Sequence, residues 1–136
     1  MSATFRFRLQ ALLDYRTSIE MTLRGQAAAR EKERVEAQAR LNQLDRELQE
    51  NDRAVDLRAR ALRQEHLARA IEGQQRLLRD YEETLAIATA RLREAAKETM
   101  ALERLRERRW KQHADAQERA EEAEFDESNA RYNDIR

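Results

Sequence analysis

Apolar residues along this chain recur at alternating steps of three and four, the spacing of one face of a helix. From Leu9 the series runs Leu9, Leu12, Arg16, Ile19, Leu23, Ala27, Arg30, Arg34, Ala37, Leu41, Leu44, Leu48, Asn51, Val55. One step departs from the alternation: Leu23 to Ala27 is a second consecutive four, the local slip of an eleven-residue repeat, which relaxes a left-handed supercoil. Arg30 and Arg34 occupy the seam just after it, so packing over residues 26–36 is expected to be thin, with Gly25 weakening the helix beside it. A second series is cleaner: Leu67, Ile71, Gln74, Leu78, Tyr81, Leu85, Ala88, Leu92, Ala95, Thr99, Leu102. It keeps a strict heptad, the signature of a coiled coil.

The two series do not join. Carrying the first past Val55 would bring Arg58, Glu65 and Arg69 into the seam beside Leu62, so the register breaks in the stretch LRARALRQEH. A turn is therefore predicted at about 58–66, between a first helix of about 4–57 and a second of about 66–133, in a single coiled-coil domain spanning 1–136. The expected fold class is all-α: two long helices forming an antiparallel coiled-coil hairpin, with the C-terminal helix overhanging from Glu121 to Arg136. The competing architecture is one continuous helix of about 200 Å, at 1.5 Å per residue, dimerising in parallel; the register break disfavours it. Pairs with the acid four residues before the base support helix on both sides of the break: Glu20–Arg24, Glu36–Arg40, Asp56–Arg60, Glu65–Arg69, Glu72–Arg76 and Asp115–Arg119.

The opening FRFRLQALLDYR follows two periods. Phe5, Phe7 and Leu9 alternate with Arg6, Arg8 and Gln10 as in a strand, and a helical spacing takes over from Leu9. The alternation is short and has no second strand to pair with, so it reads as a ragged helix start. Its arginines resemble a targeting presequence, but it lacks the continuous apolar stretch of a secretory signal and runs unbroken into the helical pattern.

Composition agrees with long helices. Charged residues make up 40% of the 136 and aromatics 5%, with two Gly and no Pro. A mean hydropathy of −1.02 leaves little for a globular core, whereas Ala, Leu, Glu, Arg and Gln are strong helix formers. Basic and acidic residues balance at 27 each, so no overall field draws the chain to nucleic acid or an anionic membrane. There is no Cys and no apolar run long enough to span a bilayer, which fits a cytoplasmic protein.

Catalytic chemistry finds little footing. Gly25 and Gly73 are isolated, with no phosphate-cradling loop, and His66 and His113 belong to no metal-ligand cluster. Neither catalytic residues, cofactor nor metal is expected. More informative is a change of charge along the second helix. Arg104, Arg106, Arg108, Arg109 and Lys111 give way at once to Asp115, Glu118, Glu121, Glu122, Glu124, Asp126 and Glu127, with Arg119 the one base among them. A basic block followed by an acidic one suits protein partners better than nucleic acid. Trp110, the single tryptophan, is either a packing residue against Leu12 and Leu13 or an exposed anchor for a partner.

These residues also resemble a known family. Phe5-Arg-Phe7-Arg-Leu9-Gln-Ala-Leu12-Leu13-Asp14-Tyr15-Arg16 is similar to the opening F-x-L-x-x-L-L-x-x-R of the flagellar export protein family FliJ. Leu102-Glu103-Arg104-Leu105-Arg106-Glu107-Arg108, a spacer, and Phe125-Asp126-Glu127 resemble that family's L-E-K-L-x-E-R … x-D-E. A stalk protein of a virulence-type III secretion system would look nearly the same, and a generic homodimeric coiled-coil scaffold is the alternative reading. The resemblance implies a soluble, non-enzymatic stalk of the flagellar type III export apparatus, cytoplasmic and peripherally associated with the membrane machinery. Its implied partners are the hexameric export ATPase, the cytoplasmic domain of the export gate, and the export chaperones it escorts. Carried over by position, Phe5, Phe7, Leu9, Trp110, Phe125, Asp126 and Glu127 would face the ATPase, and Arg63, Leu67, Ala70 and Gln74 the gate. Arg63 stands where a relative has an aromatic.

Overall fold

The structure is a computed structural model that describes residues 4–135. Nearly all of them lie in two helices, α1 (Gln10–Asn51) and α2 (Leu57–Ile135), which pack against each other as a helical hairpin. No strand is present among the described residues. The contacts divide the chain into two compact units, Glu20–Ala95 and Met1–Ile19 with Ala96–Arg136.

Within Glu20–Ala95 the centre is Ala37, Leu41 and Leu78, with Ile71 and Tyr81 packed against them. Leu44 and Leu67 are buried nearer the turn. The Gln74 side-chain amide donates to the Ala37 carbonyl at 3.0 Å, so a polar heptad position is satisfied by the facing helix. No α1 residue between Leu13 and Ala37 reaches full burial. Here Arg30 and Arg34 turn back along their own helix, to Glu33 at 3.1 Å and Glu31 at 2.6 Å. A hollow of about 170 Å³ opens between Gln26, Arg30, Thr84, Ile87, Ala88 and Arg91. This is the thin seam that the four-residue slip predicts. The hydrogen bond to Arg34 holds the Glu31 carboxyl below its usual range, and Glu31 in turn raises Arg34.

Gly25 and Gly73 both sit in continuous helix, and a methyl group added at either would meet nothing within 4 Å. Gly25→Ala and Gly73→Ala should therefore each stabilise the fold by about 0.8 kcal/mol, read as a higher thermal midpoint by circular dichroism.

The turn comes earlier than the register break suggests. It occupies residues 52–56, not 58–66, so α1 ends at Asn51 and α2 begins at Leu57. Two polar side chains set it without Gly or Pro. The Asp56 carboxylate accepts from the backbone N–H of Arg58 at 3.0 Å and of Ala59 at 3.3 Å, capping the exposed amides of the first turn of α2. Asn51, buried at the end of α1, donates its amide to the Arg60 carbonyl at 2.9 Å and ties the two helix ends together. Arg60 approaches Asp52 across the turn at 3.7 Å, so Asp56 acts as a cap and not as the helix-face partner of Arg60. Val55 and Leu62, which the pattern drew toward the seam, are solvent-exposed. Asp56→Ala should cost about 1 kcal/mol, measured as a lower urea midpoint with an unchanged slope.

The other unit contains the first ten residues of α1, the chain before them, and α2 from Ala96. Leu13, and not Leu12, is the buried leucine of its α1 segment, and Thr99 is buried on α2. Arg16, a charge at a seam position, is answered across the pair by Glu98 at 2.6 Å. Residues 4–9 are not helical, which corrects the expected start of α1 at about residue 4. Phe5, Phe7 and Leu9 are half-buried while Thr4, Arg6 and Arg8 are exposed. Residues two apart point the same way only in extended backbone; on a helix they diverge by about 200°. The two phenylalanines can share one face only if the helix waits until Gln10. Further along, every described residue from Glu118 onward is exposed. This stretch of α2 is the overhang, and Arg136 lies outside the described residues.

Candidate partner-binding site

In the unit formed by residues 4–19 and 96–135, the extended segment lies on α2 and makes a cleft of about 670 Å³. The cleft is lined by Phe5, Phe7 and Leu9 with Leu105, Arg109 and His113, and by Arg6 and Arg8 at its edge. The Phe5 and His113 rings meet at 5.5 Å between centroids, tilted by 46°. A smaller hollow of about 260 Å³ joins Phe5 to Trp110, between Glu103, Arg106 and Glu107. The chemistry offered is an apolar floor with several guanidinium groups around it, suited to an apolar side chain flanked by carboxylates.

The residues expected to face an ATPase fall into two groups within this unit. Phe5, Phe7 and Leu9 are half-buried in the cleft and Trp110 is 54% exposed beside Phe5. Phe125, 67% exposed, and Asp126 and Glu127 lie on the overhang, about 22 Å farther along α2 than Trp110 at 1.5 Å per residue. Glu127 pairs with Arg131 at 3.0 Å. Of the two readings of Trp110, its exposure agrees with a surface position and not with a plug against Leu12 and Leu13. Arg6, Arg8, Arg109 and His113 were not singled out from the pattern as lining residues. The strand-like alternation of FRFRL was their available signal, because an extended segment laid on a helix brings its flanking arginines to the same rim.

The set expected to face an export gate, in the other unit, is turned mostly inward. Leu67 is 3% exposed, Ala70 is half-buried, and Gln74 spends its amide on Ala37; only Arg63 is open. Heptad positions of α2 face α1, so Leu67 and Gln74 are engaged within the hairpin.

No protein family, curated protein or solved structure matches this chain. Among the described residues no three His, Asp or Glu side chains are grouped as a metal site, and no helix is long and apolar enough to cross a membrane.

Proposed function

We propose that this chain is a non-enzymatic coupling stalk of a flagellar-type protein-export apparatus, engaging a hexameric export ATPase through residues 4–9 and the C-terminal part of α2. The supporting observation is that the opening motif and the first part of the second, both resembling the FliJ family and distant in sequence, share one cleft: Phe5, Phe7 and Leu9 line it together with Leu105. Beyond them α2 continues exposed from Glu118 onward among the described residues, with Phe125 among carboxylates. A lone asymmetric tip inside a ring of identical subunits meets each differently and can favour one catalytic interface at a time, through differential contacts with its states.

Bridging to the gate's cytoplasmic domain, escort of export chaperones and a cytoplasmic location peripheral to the membrane belong to the same proposal. With Leu67, Ala70 and Gln74 turned inward, Arg63 is the member of that set left to meet the gate. The test is ATP turnover and ring assembly by the export ATPase of the same cell, with and without this protein. Stimulated turnover together with co-sedimentation is expected; unchanged turnover without binding rejects the reading.

A further inference from the structure

We propose that the cleft beside residues 4–9 takes an extended peptide segment in which acidic residues alternate with apolar ones, paired edge-on with the backbone of Thr4–Arg8. The lining points to an acidic partner: Arg6, Arg8 and Arg109 all line the cleft and no carboxylate does. All three are exposed, and among the described residues none of them forms an ion pair. Exposed arginines elsewhere, such as Arg24, Arg69 and Arg76, are answered by a glutamate one turn away on their own helix. Arg6 and Arg8 precede α1 and have no such neighbour. Their guanidinium groups are open to the carboxylates of a partner.

The form of that partner follows from the backbone. Burial alternates along the segment, with Phe5 and Phe7 turned in and Thr4, Arg6 and Arg8 turned out, as in extended chain. Among the described residues, the backbone of residues 4–8 makes one hydrogen bond, accepted by the Phe7 carbonyl from the Gln10 N–H. Thr4, Phe5, Arg6 and Arg8 exchange none, so they present the kind of unpaired edge that recruits a further strand. Residues directly opposite on paired strands face the same way. An added strand would therefore set acidic residues opposite Arg6 and Arg8, and apolar residues opposite Phe5 and Phe7, over the floor that Leu105 helps to form. Single-stranded nucleic acid fits less well. The Phe5 ring is tilted by 46° onto His113 and Phe7 is half-buried, so neither offers the open face on which a base stacks.

This inference rests on the reading of residues 4–9 as the partner-binding surface and names what a partner must bring there. It holds whether or not that partner is the export ATPase.

Trp110, the single tryptophan, shares a hollow with Phe5, so its fluorescence reports on the cleft. The probe is a short end-blocked peptide of alternating Glu and Val, titrated into the full chain below the concentration at which the peptide self-associates. A saturable change in Trp110 emission is expected. A peptide of the same composition with its Glu and Val in separate blocks should bind about tenfold more weakly, and an alternating Lys and Val peptide should not bind. Arg6→Glu/Arg8→Glu should reverse the preference, losing the Glu peptide and gaining the Lys peptide, a gain that loss of folding could not produce. N-methylation of the valine amides blocks one edge of the peptide and of the glutamate amides the other. One of these peptides should lose binding by about tenfold and the other keep it. No saturable response, equal binding of the separate-block peptide, equal effects of the two methylations, or an oligothymidine binding as tightly as the alternating Glu peptide overturns the proposal. Peptide binding without ATPase engagement would reject the export reading alone. ATPase engagement without peptide binding would reject strand pairing alone.

Discussion

Leu78→Ala should destabilise the fold by about 2–3 kcal/mol, whereas Leu77→Ala, one residue away, should cost less than about 1 kcal/mol. The larger figure is that of a buried leucine truncated in a core that can relax only partly; the smaller follows from a side chain already 40% exposed. Leu78 packs with Ala37 and Leu41, and two of the three are too large to be replaced by a shift of the small one. No side chain of the described chain is completely buried, and the buried apolar residues are Leu13, Ala37, Leu41, Leu44, Leu67, Leu78 and Ala95. With so thin a core, one leucine is a sizeable part of a net stability of several kcal/mol. Urea unfolding followed by helical circular dichroism gives both numbers. Equal losses for the two variants would mean that the assigned face of α2 is wrong.

That face was legible in the sequence because burial here depends on one periodicity. Each of Leu67, Ile71, Gln74, Leu78, Tyr81, Leu85, Ala88, Leu92, Ala95, Thr99 and Leu102 is buried or half-buried. The first helix follows its pattern less strictly, since the eleven-residue slip rotates the seam, and it is Leu13 rather than Leu12 that points inward. The turn was harder to place. Apolar spacing extends through Val55 and Leu62, which are exposed, while the residues that set the turn are polar: Asn51 through a single amide and Asp56 through its carboxylate. A hydrophobic register cannot see a cap. At the start, no strand forms, as the want of a second strand implied, but neither does the ragged helix start: residues 4–7 carry no regular structure, Arg8 and Leu9 form a turn closed by the Gln10 N–H on the Phe7 carbonyl at 3.0 Å, and α1 begins at Gln10. The alternation shows instead in burial, with Phe5, Phe7 and Leu9 half-buried and Arg6 and Arg8 exposed. Which aromatics stay open was only partly legible: the pattern left Trp110 undecided between packing and exposure, and the structure leaves it and Phe125 exposed, while the heptad residues Leu67 and Gln74 are engaged by α1.

Phe5→Ala/Phe7→Ala should weaken engagement of the export ATPase by roughly a hundredfold while leaving helical content unchanged. The first half of that expectation rests on the proposed function. Two aromatic anchors worth a little over 1 kcal/mol each sum to about 2.7 kcal/mol, and every 1.4 kcal/mol is a factor of ten. The second half rests on the fold: α1 begins at Gln10, so neither phenylalanine contributes a helical residue. What the substitutions remove is the floor of the cleft beside Leu105 and His113, and one wall of the hollow that Phe5 shares with Trp110. Co-sedimentation with the ATPase and stimulation of its ATP turnover should fall together. Retained stimulation would sink the assignment of this surface, and a parallel loss of helicity would show that the segment is structural. Glu124→Arg/Asp126→Arg/Glu127→Arg tests the overhang in the same assay. If its carboxylates meet the ring, this variant loses ATPase engagement with helical content unchanged; if they do not, it engages the ring as well as the wild type does.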